Sequence, residues 1–275
     1  MTMSCSILVR STLVALLAAL PARAYPGGTP DYQTDVAPFC ASCHSSVDAS
    51  SLAGAPPDRA SKELASNKHL AQIRAGAPNT GYQSMSEVDR KLLADLVDKL
   101  DKASVVELQA PDKVAPGQEF QVTVIVKGGG GPVAGVGLVD LDQRWYARPA
   151  SSAGWQVAAA PEIRGPGGKT QTRWLEKRPA ALGRNLSYVN VEDISSDPAN
   201  DSYASAEVVF KLKAPQASGK LPLSAVYYYG TELASPLGTK IDPKDPLQRK
   251  SPVGGFGGAS GRVRFTPVKQ IEVGL

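Results

Sequence analysis

The sequence predicts a multidomain protein in which an all-α domain at residues 25–103 is followed by an all-β domain at residues 104–275. Two observations lead to this fold class. Before residue 103 the apolar residues recur at helical spacing, whereas after residue 104 they alternate in short runs bounded by glycine and proline. A length of 275 residues with 42% hydrophobic residues is sufficient for two modest domains.

The first 24 residues have the pattern of a secretory signal peptide. Arg10 precedes an apolar run at residues 11–20, and residues 22–24 (ARA) match an A-x-A cleavage site. The apolar run is too short to span a bilayer, and no later stretch has the roughly 18 apolar residues that a spanning helix needs. We therefore expect an exported mature chain that begins at Tyr25, has no transmembrane segment and, in a bacterium, is soluble in the periplasm.

Three helices are predicted between residues 25 and 103. The first covers residues 31–39 and the second covers residues 58–74, before a glycine and a proline. The third has its apolar residues on one face, namely Val88, Leu92, Leu93, Leu96, Val97 and Leu100. Ser84 with Glu87 three residues later is a capping-box pattern, which predicts that this helix begins just beyond Met85.

The segment Cys40-Ala41-Ser42-Cys43-His44 has the spacing of a c-type haem attachment motif. Two thiols two residues apart can each form a thioether to one haem, and the histidine that follows can ligate the iron. The remaining cysteine, Cys5, belongs to the predicted signal peptide. We therefore predict one covalently bound haem c, attached through Cys40 and Cys43, with His44 as an axial ligand.

Other interpretations of this motif meet specific difficulties. A zinc half-site needs two more ligands, but the only other histidine is His69, and Cys43 and His44 are neighbours whose side chains diverge. A thioredoxin-like pair should follow a strand, and no βαβ pattern surrounds the motif. A disulfide between cysteines this close would constrain little of the unfolded chain. Haem attachment is therefore the favoured interpretation.

Met85 is the only methionine from residue 25 onward, and it lies in the loop before the third predicted helix. Its neighbours are polar, which argues against the usual role of a methionine as a filler of the core. We predict Met85 as the second axial ligand of the haem iron. His69 is the rival ligand, although the adjacent Asn67 and Lys68 favour a surface histidine.

The order of these features resembles class I monohaem cytochromes c over residues 25–103. The resemblance implies covalent haem through Cys40 and Cys43, axial ligation by His44 and Met85, and one-electron transfer through the exposed haem edge. The sequence departs from the commonest pattern of that family, because it lacks a glycine and aromatic pair in the first helix and a proline beside Met85.

The second part is predicted to form a β-sandwich, because short alternating strands are separated by Gly/Pro turns. The predicted strands are residues 105–108, 120–126, 135–140, 186–191, 205–213 and 221–229. Alternation along the last of them places Tyr228 on the opposite face from Tyr227 and Tyr229. Residues 104–275 contain no histidine, cysteine or methionine, which excludes imidazole and thiolate chemistry there. The architecture resembles immunoglobulin-like modules of exported redox proteins.

Composition and motifs favour electron transfer over other functions. The net charge of +4 is not gathered into Lys/Arg blocks with interleaved aromatic residues, so no nucleic-acid partner is expected. No second catalytic constellation accompanies the haem motif, which favours a protein without enzymatic activity. We expect an exported monohaem electron-transfer protein whose β-sandwich docks it to a protein redox partner. The alternatives are a haem-containing subunit of a periplasmic oxidoreductase and a haem-based gas or redox sensor.

Overall fold

The structure is a computed structural model that describes residues 65–141, 147–173, 187–241, 243–248, 250–254 and 261–274. The helices are α1 (Ala65–Ala75) and α2 (Glu87–Ala103). The strands are β1 (Val105–Gln109), β2 (Lys113–Val114), β3 (Glu119–Lys127), β4 (Gly130–Val139), β5 (Gln156–Val157), β6 (Glu162–Arg164), β7 (Thr170–Gln171), β8 (Tyr188–Glu192), β9 (Ser205–Lys213), β10 (Gly219–Gly230), β11 (Thr239–Ile241), β12 (Lys250–Pro252), β13 (Arg262–Phe265) and β14 (Lys269–Val273).

Most of the strands form two sheets. One sheet has the order β1-β3-β9-β6-β7, with β5 also paired to β9. The other has the order β2-β14-β10-β4-β8, with β13 also paired to β10. The pairings are antiparallel except for β2 with β14, and the short strands β11 and β12 pair separately. The long strands β3 and β9 therefore lie inside the first sheet, and β10 lies inside the second.

The two sheets share one apolar core. In β3 and β9 every second side chain is buried, which is the pattern that a sheet with one covered face requires. Side chains from both sheets meet in this core, including Val122, Val124, Val208, Phe210, Val136, Leu138, Leu223, Ala225, Tyr227 and Ile271. Trp155 fills one end of the core, with its ring 5.5 Å from that of Phe120 and its indole N–H donating to the carbonyl of Pro222.

The tyrosine run of β10 follows strand alternation. Tyr227 and Tyr229 lie in the core between the sheets, where their rings stack at 4.8 Å. Tyr228 points to the other face, as the sequence predicted, but it is also buried and packs edge-on against Tyr188. The second face of this sheet is therefore covered as well.

The helices pack on the β part through a small apolar core of their own. Ile73 from α1 and Leu93, Ala94 and Val97 from α2 are buried together with Tyr82. This cluster also includes Val253, and Leu237 packs against it, although both residues lie far along the chain in the β part. We call it the junction core, because it contains side chains from both parts.

A buried polar network joins the last turn of α2 to β10 and β13. Asp101 is 7% exposed and accepts a hydrogen bond from the Tyr229 hydroxyl at 2.5 Å. The guanidinium groups of Arg262 and Arg264 lie 3.4 and 3.3 Å from the Asp101 carboxylate. The backbone carbonyl of Asp101 accepts from Arg264 as well. One carboxylate therefore holds the end of α2 on two strands.

The predicted fold class was wrong. The described residues are mostly β and contain two α-helices, with no separate all-α domain among them. The physical reason lies in the junction core: α1 and α2 pack on one another but do not enclose their own apolar face, which Val253 and Leu237 complete. The predicted helix at residues 31–39 lies outside the described residues. The division into domains near residue 103 stays a prediction.

Among the residues that the structure describes, neither α1 nor α2 combines the length and the apolar composition that a membrane-spanning helix requires.

Candidate functional site

Of the four predicted haem residues, the structure places Met85. Cys40, Cys43 and His44 lie outside the described residues. Met85 lies in the segment where the chain passes from α1 to α2.

Met85 is held through its backbone on both sides. A short 3-10 turn, Tyr82–Ser84, precedes it, and the Met85 N–H donates to the carbonyl of Tyr82 at 3.0 Å. The Met85 carbonyl accepts from the Arg90 guanidinium at 2.7 Å, and the same guanidinium donates to the carbonyl of Arg74 in α1. Arg90 therefore ties Met85 to the first turn of α2 and to the last turn of α1.

Helix α2 begins beyond Met85, but its cap differs from the predicted one. Ser86 is the N-cap residue, and its hydroxyl oxygen accepts from the backbone N–H of Asp89 at 3.1 Å. Ser84, the predicted cap, instead donates its hydroxyl to the carbonyl of Gly81 at 2.8 Å. The predicted capping box was therefore wrong by two residues, because the 3-10 turn occupies Ser84.

The Met85 side chain is half-buried and packs against the junction core. One turn apart on α2, the side chains of Val88 and Leu92 are 76% and 49% exposed. A thioether is a donor that haem iron accepts, and an apolar macrocycle would cover such side chains. The chemistry of Met85, Val88 and Leu92 is compatible with a haem.

Close to this loop, four side chains form a buried polar cluster that we call the Glu232 cluster: His69, Tyr82, Thr231 and Glu232. His69 Nε2 lies 2.6 Å from Glu232 Oε1. The hydroxyls of Tyr82 and Thr231 both donate to the same carboxylate. The Tyr82 hydroxyl also lies 3.5 Å from His69 Nε2. All four residues are buried, with His69 at 1% and Glu232 at 0% exposure.

The Glu232 carboxylate is stabilised as an anion despite its burial. Burial by itself raises the pKa of a carboxyl group, but here the charge of His69 and the hydrogen bonds from His69, Thr231 and Tyr82 outweigh that effect and lower the pKa of Glu232 to about 2. His69 Nδ1 has no hydrogen-bond partner in the part of the chain that the structure describes. His69 therefore directs Nε2 to Glu232.

Sequence reasoning missed this cluster. Glu232 is a single carboxylate in a short turn after β10, and it lies 163 residues from His69 and 150 from Tyr82, so no local spacing connects them. The expectation that His69 is a surface histidine was wrong, because the polarity of its neighbours does not report its own burial. The burial of His69 could have been inferred from its position in the same predicted helix as the apolar residues Leu70 and Ile73.

Among the described residues, no group of three or more His, Cys, Asp or Glu side chains is arranged to hold a metal ion. No protein-family model matches the chain, and no curated protein matches it. A function is therefore inferred from the haem attachment motif and from the geometry around Met85.

Proposed function

We propose that this protein is an exported monohaem electron-transfer protein. Cys40 and Cys43 would hold the haem covalently, and His44 and Met85 would be its axial ligands. The observation that carries the proposal is the five-residue motif at Cys40–His44, whose order of thiols and imidazole suits one haem and its iron. The haem supplies a one-electron couple. The secretory pattern of residues 1–24 supports export, and both cysteines beyond residue 24 would be used by the haem, which suits an oxidising compartment where spare thiols would react.

The described residues contribute the distal side of this site. Met85 offers a thioether at the edge of the junction core, and its backbone is fixed by Tyr82 and Arg90. Val88 and Leu92 offer apolar contact in the same part of the chain. A His/Met ligand pair raises the reduction potential, which suits a carrier that accepts electrons from a donor and passes them on. We further propose that the β part contributes to docking a protein redox partner.

Covalent attachment is tested on the mature full chain, exported together with a haem-attachment machinery. We expect one haem per chain, retained on the polypeptide after denaturation and acidic organic extraction. Cys40→Ala with Cys43→Ala should give a colourless protein. Haem that is extracted from the wild-type chain would contradict the proposal.

Distal ligation is tested with Met85→Ala, and Lys91→Ala serves as an exposed control on α2. Loss of the thioether opens the sixth position of the iron, so carbon monoxide should bind faster to the reduced protein and the potential should fall. Lys91→Ala should change neither. An unchanged spectrum and potential in Met85→Ala would remove Met85 from the ligand set.

A further inference from the structure

The Glu232 cluster connects the β part to the loop that carries Met85. Glu232 lies on a short 3-10 turn, Glu232–Ala234, that follows β10. Its carboxylate accepts the hydroxyl of Tyr82, which is the first residue of the 3-10 turn leading into Met85. The carbonyl of the same tyrosine accepts the Met85 N–H at 3.0 Å. Two hydrogen bonds therefore separate a carboxylate of the β part from the backbone of Met85.

The remaining contacts of this loop leave it little freedom to move independently. Gly81 has a left-handed backbone with φ of 84°, and a Cβ at this position would lie 2.9 Å from the carbonyl oxygen of Val253. The backbone of the loop at Gly81, just before Tyr82, therefore packs directly against the backbone of Val253 in the β part. His69 holds Glu232 from the side of α1. The carboxylate consequently fixes α1 and the 3-10 turn to the same point.

Loss of this carboxylate would disturb both groups that it binds. The hydroxyl of Tyr82 and Nε2 of His69 are buried, so neither can exchange Glu232 for bulk water. A buried polar group that loses its acceptor moves or admits water. The Tyr82 ring is fully buried in the junction core and has little room to rotate by itself, so a shift of the ring is transmitted to the Tyr82 backbone, whose carbonyl accepts the Met85 N–H.

We propose that Glu232 is a positioning residue for Met85: it fixes Tyr82 and thereby determines how firmly the thioether is held at the haem iron. This inference rests on the proposed function. It makes the β part a component of the haem site and not only a docking module. Glu232 does not touch the iron, and it acts through Tyr82.

The experiment uses the mature full chain with its haem and compares wild type, Tyr82→Phe and Glu232→Gln. Tyr82→Phe removes one hydroxyl and keeps the ring in the junction core. Asp98→Asn is the control, because Asp98 belongs to an exposed pair with Lys102 on α2. The measurements are the charge-transfer band of ferric haem with a thioether ligand and the rate at which added imidazole displaces that ligand, both under conditions where denaturant titration finds each variant folded.

Tyr82→Phe and Glu232→Gln should each weaken the band and speed displacement roughly tenfold, because the first removes the hydrogen bond to the carboxylate and the second replaces its charged acceptor with a neutral amide. The control should equal wild type. If both variants keep the wild-type band and rate, the inference is overturned. A selectively labelled Met85 methyl group gives a second measurement, since it is the only methionine from residue 25 onward. Its resonance should broaden or shift in both variants, and an unchanged resonance would also overturn the inference.

Failure of the proposed function would look different. It would be visible in the wild-type protein, as haem that is not covalently bound or as a band and a displacement rate that do not change in Met85→Ala. Failure of the inference alone leaves the wild type and Met85→Ala as expected, while Tyr82→Phe and Glu232→Gln behave as wild type.

Discussion

Removing the charge of Asp101 should destabilise the protein far more than removing a carboxylate from the surface of the same helix. Asp101 is buried and faces Arg262, whose side chain is 1% exposed, so Asp101→Asn leaves a buried guanidinium without its counter-charge. Tyr229 also loses a charged acceptor at 2.5 Å. The perturbation therefore reaches both strands that hold the end of α2.

The magnitude follows from the burial of these groups. Breaking a buried ion pair by removing one partner costs about 3–5 kcal/mol. Asparagine keeps an oxygen that can accept from Tyr229, so we expect the lower end of this range, about 3 kcal/mol. The control is Asp98→Asn, whose exposed pair with Lys102 four residues later is worth below about 0.5 kcal/mol. Against a total stability of about 5–15 kcal/mol, the first change is large and the second is barely measurable.

The assay is equilibrium unfolding of the mature full chain in urea, followed by circular dichroism, with the slope of each transition compared to that of wild type. A lower midpoint with an unchanged slope for Asp101→Asn, and no shift for Asp98→Asn, is the expected outcome. If Asp101→Asn costs less than about 1 kcal/mol, the network does not anchor α2, and the account of how the helix is held must be abandoned.

Three further outcomes are expected. The pKa of Glu232 in the folded protein is lowered to about 2, so its stabilising contribution is complete above the ordinary pKa of a glutamate and is lost as the pH falls towards 2. In Glu232→Gln, the free energy of unfolding should therefore decrease less steeply between about pH 4 and pH 2 than in wild type. Burial raises the pKa of Tyr227 and, with the charge of Asp101, that of Tyr229; an alkaline absorbance titration should find these phenols protonated above pH 10 until the protein unfolds, whereas normal titration of every tyrosine would contradict their burial. Trp155→Ala should cost about 3–5 kcal/mol in urea unfolding, because it empties a fully buried ring site between the sheets, and a loss below about 1 kcal/mol would contradict that packing.

Local periodicity predicted the elements better than their assembly. Strands were expected at residues 205–213 and 221–229, and the structure has Ser205–Lys213 and Gly219–Gly230. The amphipathic pattern likewise located α2, because its spacing follows from the helix alone. The N-cap was missed, since serines at 84 and 86 both fit the pattern and only the 3-10 turn distinguishes them.

The assembly depends on contacts that sequence spacing cannot reveal. The same apolar face that identified α2 was assigned to a core within residues 25–103, whereas part of its cover comes from Leu237 and Val253. The Glu232 cluster illustrates the same limit for the site, because its carboxylate comes from a turn with no motif of its own. A charged residue in a loop is usually solvated, and its burial becomes visible only in three dimensions.

The two buried networks are linked through Gly261, whose N–H donates to the Thr231 hydroxyl at 3.0 Å and whose carbonyl accepts from Arg262, the partner of Asp101. Both networks contain charges, and these charges affect how the helices are held. Apolar contacts in the junction core would stabilise the helix in several nearby orientations, since they are not directional. The Glu232 cluster near Met85 and the Asp101 network in the last turn each accept only one geometry, because a displaced buried charge loses its partner. The Asp101 network thus fixes the last turn of α2 on the β part, and the Glu232 cluster fixes α1 and the 3-10 turn before Met85. Met85 follows that turn and donates its N–H to the carbonyl of Tyr82, so under the proposed function the geometry of the haem site would depend on residues far beyond the haem motif.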